Sequence, residues 1–78
     1  MTKIFIGGIS SETSEIDLVG FVSAYAEVST IKIVRDKATK KSKGFAFLEM
    51  SNQKEAEKAV ERIDGLKFKN RVLTVKIS

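Results

Sequence analysis

The chain has 78 residues, of which 42% are hydrophobic, 31% charged and 8% aromatic, and fourteen Lys and Arg against ten Asp and Glu give a net charge of +4. That length holds one small domain, residues 1–78, and rules out a second. Cysteine and histidine are both absent, which excludes disulfides, thiol catalysis, Ser-His-Asp and HExxH chemistry and the commonest metal ligands.

The chain opens with Lys3 to Ile9, a short apolar run closed by the pair Gly7-Gly8, the pattern of a strand that stops in a turn. Ser10 to Ser14 is a cluster of helix-capping candidates. After it Ile16, Leu18, Val19, Phe21, Val22 and Tyr25 recur at helical spacing and predict one buried stripe. Val28 to Val34 is rich in β-branched residues and predicts a second strand, with the polar tract Asp36 to Lys43 as its turn. Gly44 to Met50 makes a third strand. Ser51 or Asn52 then caps a second helix, whose stripe is Ala56, Ala59, Val60 and Ile63 and whose expected stop is Gly65. Leu66 to Asn70 is expected to be a loop, and Val72 to Ile77 alternate as a last strand.

The resulting order is βαββαβ, which predicts an α+β, ferredoxin-like sandwich: a four-stranded antiparallel sheet with two helices on one face. Strand periodicity then sorts the side chains, because alternate residues point to opposite faces. Ile4, Ile6, Ala46, Leu48 and Met50 share the aliphatic side that the helices must cover, and Ile31, Ile33, Leu73, Val75 and Ile77 join them. The open side receives Lys3, Phe5, Gly7, Lys32, Val34, Phe45, Phe47, Glu49, Thr74 and Lys76. One strand phenylalanine alone is most often core packing. Three on a face that two helices leave bare make a patch of the kind that binds a partner.

Charge follows the same division. Lys32 to Lys43 carries a local +5, and Lys67, Lys69, Arg71 and Lys76 add +4 with no acid among them, so the remainder holds −5. A single basic run is as well explained by a solvated loop, but basic segments beside an aromatic face suit a ligand with flat bases and a phosphate backbone. Single-stranded RNA is the expected partner, with single-stranded DNA admitted by the same chemistry and a protein partner second. No apolar run approaches the roughly 20 residues needed to span a bilayer, and the expectation is a cytoplasmic protein with no membrane partner.

Lys43-Gly44-Phe45-Ala46-Phe47-Leu48-Glu49-Met50 resembles the RNP1 signature of the RNA recognition motif, matching its first five positions. Ile4-Phe5-Ile6-Gly7-Gly8-Ile9 is similar to the companion RNP2 hexamer, and Lys3 to Gly8 looks most like the form in heterogeneous nuclear ribonucleoprotein A/B and Musashi-type domains. A Met start just before the first strand, and an end just after the last, resemble the small stand-alone bacterial members. The resemblance implies base stacking on Phe5 and Phe45, sugar contact at Phe47 and a phosphate contact at Lys43. Lys3, Lys32, Val34, Arg35, Lys41, Glu49, Thr74 and Lys76 complete the implied RNA-binding set. Three positions depart from the family pattern: Met50 replaces an aromatic, Tyr25-Ala26 stands where Phe-Gly is usual, and Lys40 takes a turn position that is commonly Gly.

Neither catalysis nor a cofactor is expected. Ser10, Ser11, Thr13 and Ser14 have no base to activate them, and the Met pair without a CxxC makes no metal carrier. The expected role is post-transcriptional regulation through RNA, and the alternative is the same fold used as a protein-interaction module.

Overall fold

In the computed structural model, which describes residues 1–78, Ser14 and Asn52 set where the two helices begin. The Ser14 side chain accepts a hydrogen bond from the Asp17 backbone N–H at 3.1 Å, and Asp17 Oδ2 accepts one from the Ser14 N–H at 3.3 Å. This reciprocal cap starts α1 (Glu15–Ser23). Asn52 Oδ1 accepts from the Glu55 N–H at 2.9 Å and starts α2 (Gln53–Ile63). Around them lie β1 (Thr2–Gly7), β2 (Val28–Arg35), β3 (Ser42–Met50), β4 (Lys67–Phe68), β5 (Arg71–Val72) and β6 (Thr74–Ile77). Neither helix is long and apolar enough to cross a membrane.

The main sheet has the order β2-β3-β1-β6 and every pairing in it is antiparallel, which is the predicted ferredoxin-like α+β architecture. Ile4, Ile6, Ile33, Ala46, Leu48, Met50 and Val75 project from one side of it and meet Leu18 and Val22 of α1 and Ala56, Ala59 and Ile63 of α2. Burying one Leu or Ile side chain of this kind stabilises the fold by about 1.5–3 kcal/mol, so this single seam holds the helices down. The opposite side of the sheet is left without a covering layer.

Three expectations are corrected. Ile16 is 84% exposed, because it precedes Leu18 by two residues and so stands about 200° around the helix from it. Ile77 lies on the covered side of the sheet but is 40% exposed, since β6 is an edge strand with β1 as its one neighbour. The last strand is not continuous. Arg71–Val72 turn back on Lys67–Phe68 as a short second sheet before β6 begins, with Lys69 and Asn70 at φ 51° and 65° in the turn between them, as a tight hairpin requires. This hairpin packs on α1 through Phe68, whose ring centre is 4.6 Å from that of Phe21.

Candidate nucleic-acid interface

On the open face, register across the sheet builds rows of side chains. One row runs the full width: Lys32 is paired with Phe47, Phe47 with Phe5, and Phe5 with Lys76. Two aromatic rings thus stand between two ammonium groups. A second row is Thr30, Glu49 and Lys3, and a third places Phe45 and Thr74 on either side of Gly7.

The three phenylalanines form one cluster. The Phe5 ring centre is 5.7 Å from that of Phe45 and 5.8 Å from that of Phe47, and Phe45 and Phe47 are 6.1 Å apart, nearly perpendicular. All three are only partly buried, so each keeps ring surface in water. Gly7 makes the arrangement possible, because a Cβ there would lie 2.9 Å from Cε2 and Cζ of Phe5. The ring lies over the glycine. Lys76 Nζ sits 5.5 Å from the Phe5 ring centre and Lys3 Nζ 6.0 Å from that of Phe47, within the range of a cation–π attraction.

The basic turn between β2 and β3 is shaped by one acid. Asp36 Oδ1 accepts hydrogen bonds from the backbone N–H groups of Ala38 at 2.8 Å and Thr39 at 3.0 Å, and the Asp36 N–H donates to the Lys41 carbonyl at 2.9 Å. The N–H donors of Thr39 and then Ala38 hold the Asp36 carboxyl below its ordinary value. Lys40 takes φ 66°, the left-handed conformation for which Gly is commoner at this position. The exposed ammonium groups of Lys37, Lys40 and Lys41 are therefore borne on an ordered turn. Lys32, Val34, Lys37 and Lys43, together with Arg35 and Asp36, line one hollow of about 580 Å³ that joins the turn to the sheet.

Arg35 departs from its expected place. Its guanidinium lies 2.6 Å from Glu15 Oε1 at the start of α1, because it shares strand parity with buried Ile33 and so turns to the covered side. Burial pushes the Glu15 carboxyl up, but hydrogen bonds from its own backbone N–H and from Arg35 outweigh this and hold it below the usual value. The second basic run also divides. Lys76 joins the sheet face, whereas Lys69 Nζ bonds Asp17 Oδ2 at 2.7 Å on α1. That bond, with those from Ser14, lowers the Asp17 pKa.

One member of the face, Thr30, was not singled out from sequence, and another, Gly7, was placed there without a role. Thr30 falls on it by alternation with Lys32 and Val34, and its hydroxyl donates to Glu49 Oε1 at 2.8 Å. Gly7 carries no side chain to draw attention, and its closeness to Phe5 becomes visible only in three dimensions.

A model of the RNA recognition motif family matches residues 4–74. This chain is an RNA recognition motif. The domain is 43% identical over 72 residues to the mouse RNA-binding motif protein, X-linked 2, covering 92% of this chain and 22% of that protein. It is 38% identical over 73 residues to human protein boule-like, covering 94% and 25%. The RNA recognition motif described here thus spans about a quarter or less of these curated relatives. Among solved structures it is similar to RNA binding protein PG1, with TM-score 0.92, 31% identity and coverage of 100% of this chain and 94% of that one. It is also similar to the Rna15 motif with bound RNA (GU), with TM-score 0.86, 26% identity and coverage of 97% and 81%.

Proposed function

We propose that this RNA recognition motif binds single-stranded RNA across its open sheet face. The observation that carries the reading is the row Lys32, Phe47, Phe5, Lys76, which spans all four strands on the side no helix covers. Unpaired bases stack on Phe5 and Phe45, Phe47 packs against a sugar, and Lys3, Lys32, Lys43 and Lys76 meet phosphates. Lys41 and its neighbours in the β2–β3 turn extend the cationic track beyond the sheet, and Val34 and Thr74 complete its floor. Relatives described as RNA-binding proteins and a neighbour solved with RNA support RNA as the ligand. A sheet face that holds transcripts by stacking and charge suits regulation after transcription.

The test is a titration of short single-stranded RNA against the parent, Phe5→Ala and Phe45→Ala, with the annealed duplex as competitor. Each substitution should weaken binding by roughly 1–3 kcal/mol, the range for one lost stack, and the duplex should compete poorly because paired bases hide their faces. Equal binding by the variants, or equal competition by the duplex, would overturn the stacking reading. Binding to a protein that is insensitive to salt would favour the interaction-module alternative.

A further inference from the structure

We infer that Glu49 selects guanine for the base seated beside Phe47, an inference that rests on the RNA-binding reading above. Glu49 is the one acid on any strand of the sheet. It stands half-buried between Thr30 and Lys3 in a face otherwise set with lysines and aromatic rings. A carboxylate there repels any phosphate brought near it, so its presence on a surface for RNA calls for a different partner.

The carboxylate is held and yet unspent. Thr30 Oγ1 donates to its Oε1 at 2.8 Å and fixes its orientation. Lys3, although paired with it across the strands, reaches over the Phe47 ring instead. The ion pairs of the chain are Arg35–Glu15, Lys58–Glu55 and Lys69–Asp17, and Glu49 is in none of them. A carboxylate offers about four lone-pair sites, and the hydroxyl of Thr30 takes one. Glu49 lines a hollow of about 370 Å³ together with Lys3, Thr30, Lys32, Val34 and Phe47.

A group that only accepts needs N–H donors, and on RNA those come from base edges. Guanine alone sets two donors side by side, the ring N1–H and the 2-amino group, and so can meet both carboxylate oxygens in a paired, charge-assisted contact. Adenine and cytosine present one amino group next to an acceptor nitrogen. Uracil presents one N–H between two carbonyls. Guanine's O6 and N7 are acceptors, and Lys3 and Lys32 supply ammonium donors on other walls of the same hollow.

The experiment selects from randomised short single-stranded RNA with the purified domain, then remakes the best RNA with its enriched guanine replaced by inosine, which lacks only the 2-amino group. The parent should enrich guanine at one position and bind the inosine RNA about tenfold more weakly, within the range for a paired contact to one base. Glu49→Gln retains the side-chain shape and an acceptor for Thr30. It should bind the guanine RNA more weakly, and the guanine and inosine RNAs within about twofold of each other. Equal binding of the two RNAs by the parent, a tenfold ratio that survives Glu49→Gln, or loss of preference for a different base would each overturn the assignment while leaving RNA binding intact. The comparison on the parent needs no variant, so misfolding of Glu49→Gln cannot obscure it. A parent that retains no RNA would overturn the RNA-binding reading and this one together.

Discussion

Gly7→Ala separates binding from folding more cleanly than truncating a phenylalanine. Its new Cβ would lie 2.9 Å from Cε2 and Cζ of Phe5, where ordinary contact begins at 3.4 Å, so the ring must retreat by about 0.5 Å or swing aside. Gly7 is in a strand and its φ lies outside the left-handed region, so the backbone accepts alanine without strain. A less flexible unfolded chain contributes about 0.4–1 kcal/mol in favour of the variant, and an off-rotamer phenylalanine costs about 0.5–1.5 kcal/mol. These nearly cancel, and the melting temperature should move by no more than about 4–8 °C. RNA affinity should fall by about 1 kcal/mol, part of the 1–3 kcal/mol of a whole base stack. In a Phe5→Ala background the atoms that the methyl would meet are gone, so Gly7→Ala should then weaken binding no further, a coupling of about 1 kcal/mol. Fluorescence anisotropy with a short labelled RNA measures the four affinities, and circular dichroism the four melts. Additive effects on affinity, or a Gly7→Ala domain that binds like the parent, would show that the Phe5 ring over Gly7 is not a stacking platform.

Replacing Lys37, Lys40 and Lys41 together with Ala should flatten the slope of log K against log salt by about 2, since each phosphate neutralised on a single strand contributes about 0.7; an unchanged slope would mean that the turn does not touch RNA. Thermal stability should fall on acidification. Glu15, Asp17, Asp36 and Glu55 all have folded-state pKa values below their ordinary ones, so the unfolded chain binds protons first. Their contribution is complete above the ordinary carboxylate values, near pH 4–5, and is lost as pH falls through the depressed ones. With no histidine in the chain, melts at about pH 6 and pH 8 should agree, and a transition between them would contradict this.

Most of the open face was legible in the sequence because strand parity is a two-state rule. Once Lys3 and Glu49 were barred from the core, Phe5, Phe45 and Phe47 had only one side to occupy. The same rule, carried one residue further along β2, places Arg35 on the covered side, and the carboxylate of Glu15 that receives it comes from α1, which strand patterning does not describe. Ile16 was misplaced for a related reason: spacings of two to four admit residues that lie far around a helix from the stripe. At the break the Leu73 N–H donates to the Leu66 carbonyl and its carbonyl accepts from Gly65, and beside it lies Gly8, φ 81°, where a Cβ would stand 2.5 Å from the Val72 carbonyl oxygen. That close approach of the residue after β1 to β5 is a tertiary contact with no local signature. Thr30 escaped notice, as did the role of Gly7, because a hydroxyl and a missing side chain acquire meaning only from what lies beside them.

The covered and open sides differ in charge as well as in shape, and the difference bears on how RNA would approach. Glu15, Asp17, Glu55, Glu57 and Glu61 lie on the helices against Lys54, Lys58 and Arg62, and Asp64 directly follows α2. The open face of the main sheet carries Lys3, Lys32, Lys43 and Lys76 against Glu49 alone. A polyanion is thus drawn to the open side more strongly than to the helical side, where acids and cations are mixed, before any contact forms, an effect that acts over about 8–10 Å at physiological salt. The aromatic cluster then meets a ligand already turned toward it. On this view the helical acids take part in recognition without touching RNA: reversing Glu57 and Glu61 to Lys, far from the sheet face, should slow productive association at low salt relative to its value at high salt. Stopped-flow association rates at the two ionic strengths would test this, and identical salt dependence in parent and variant would leave the helices as support for the sheet alone.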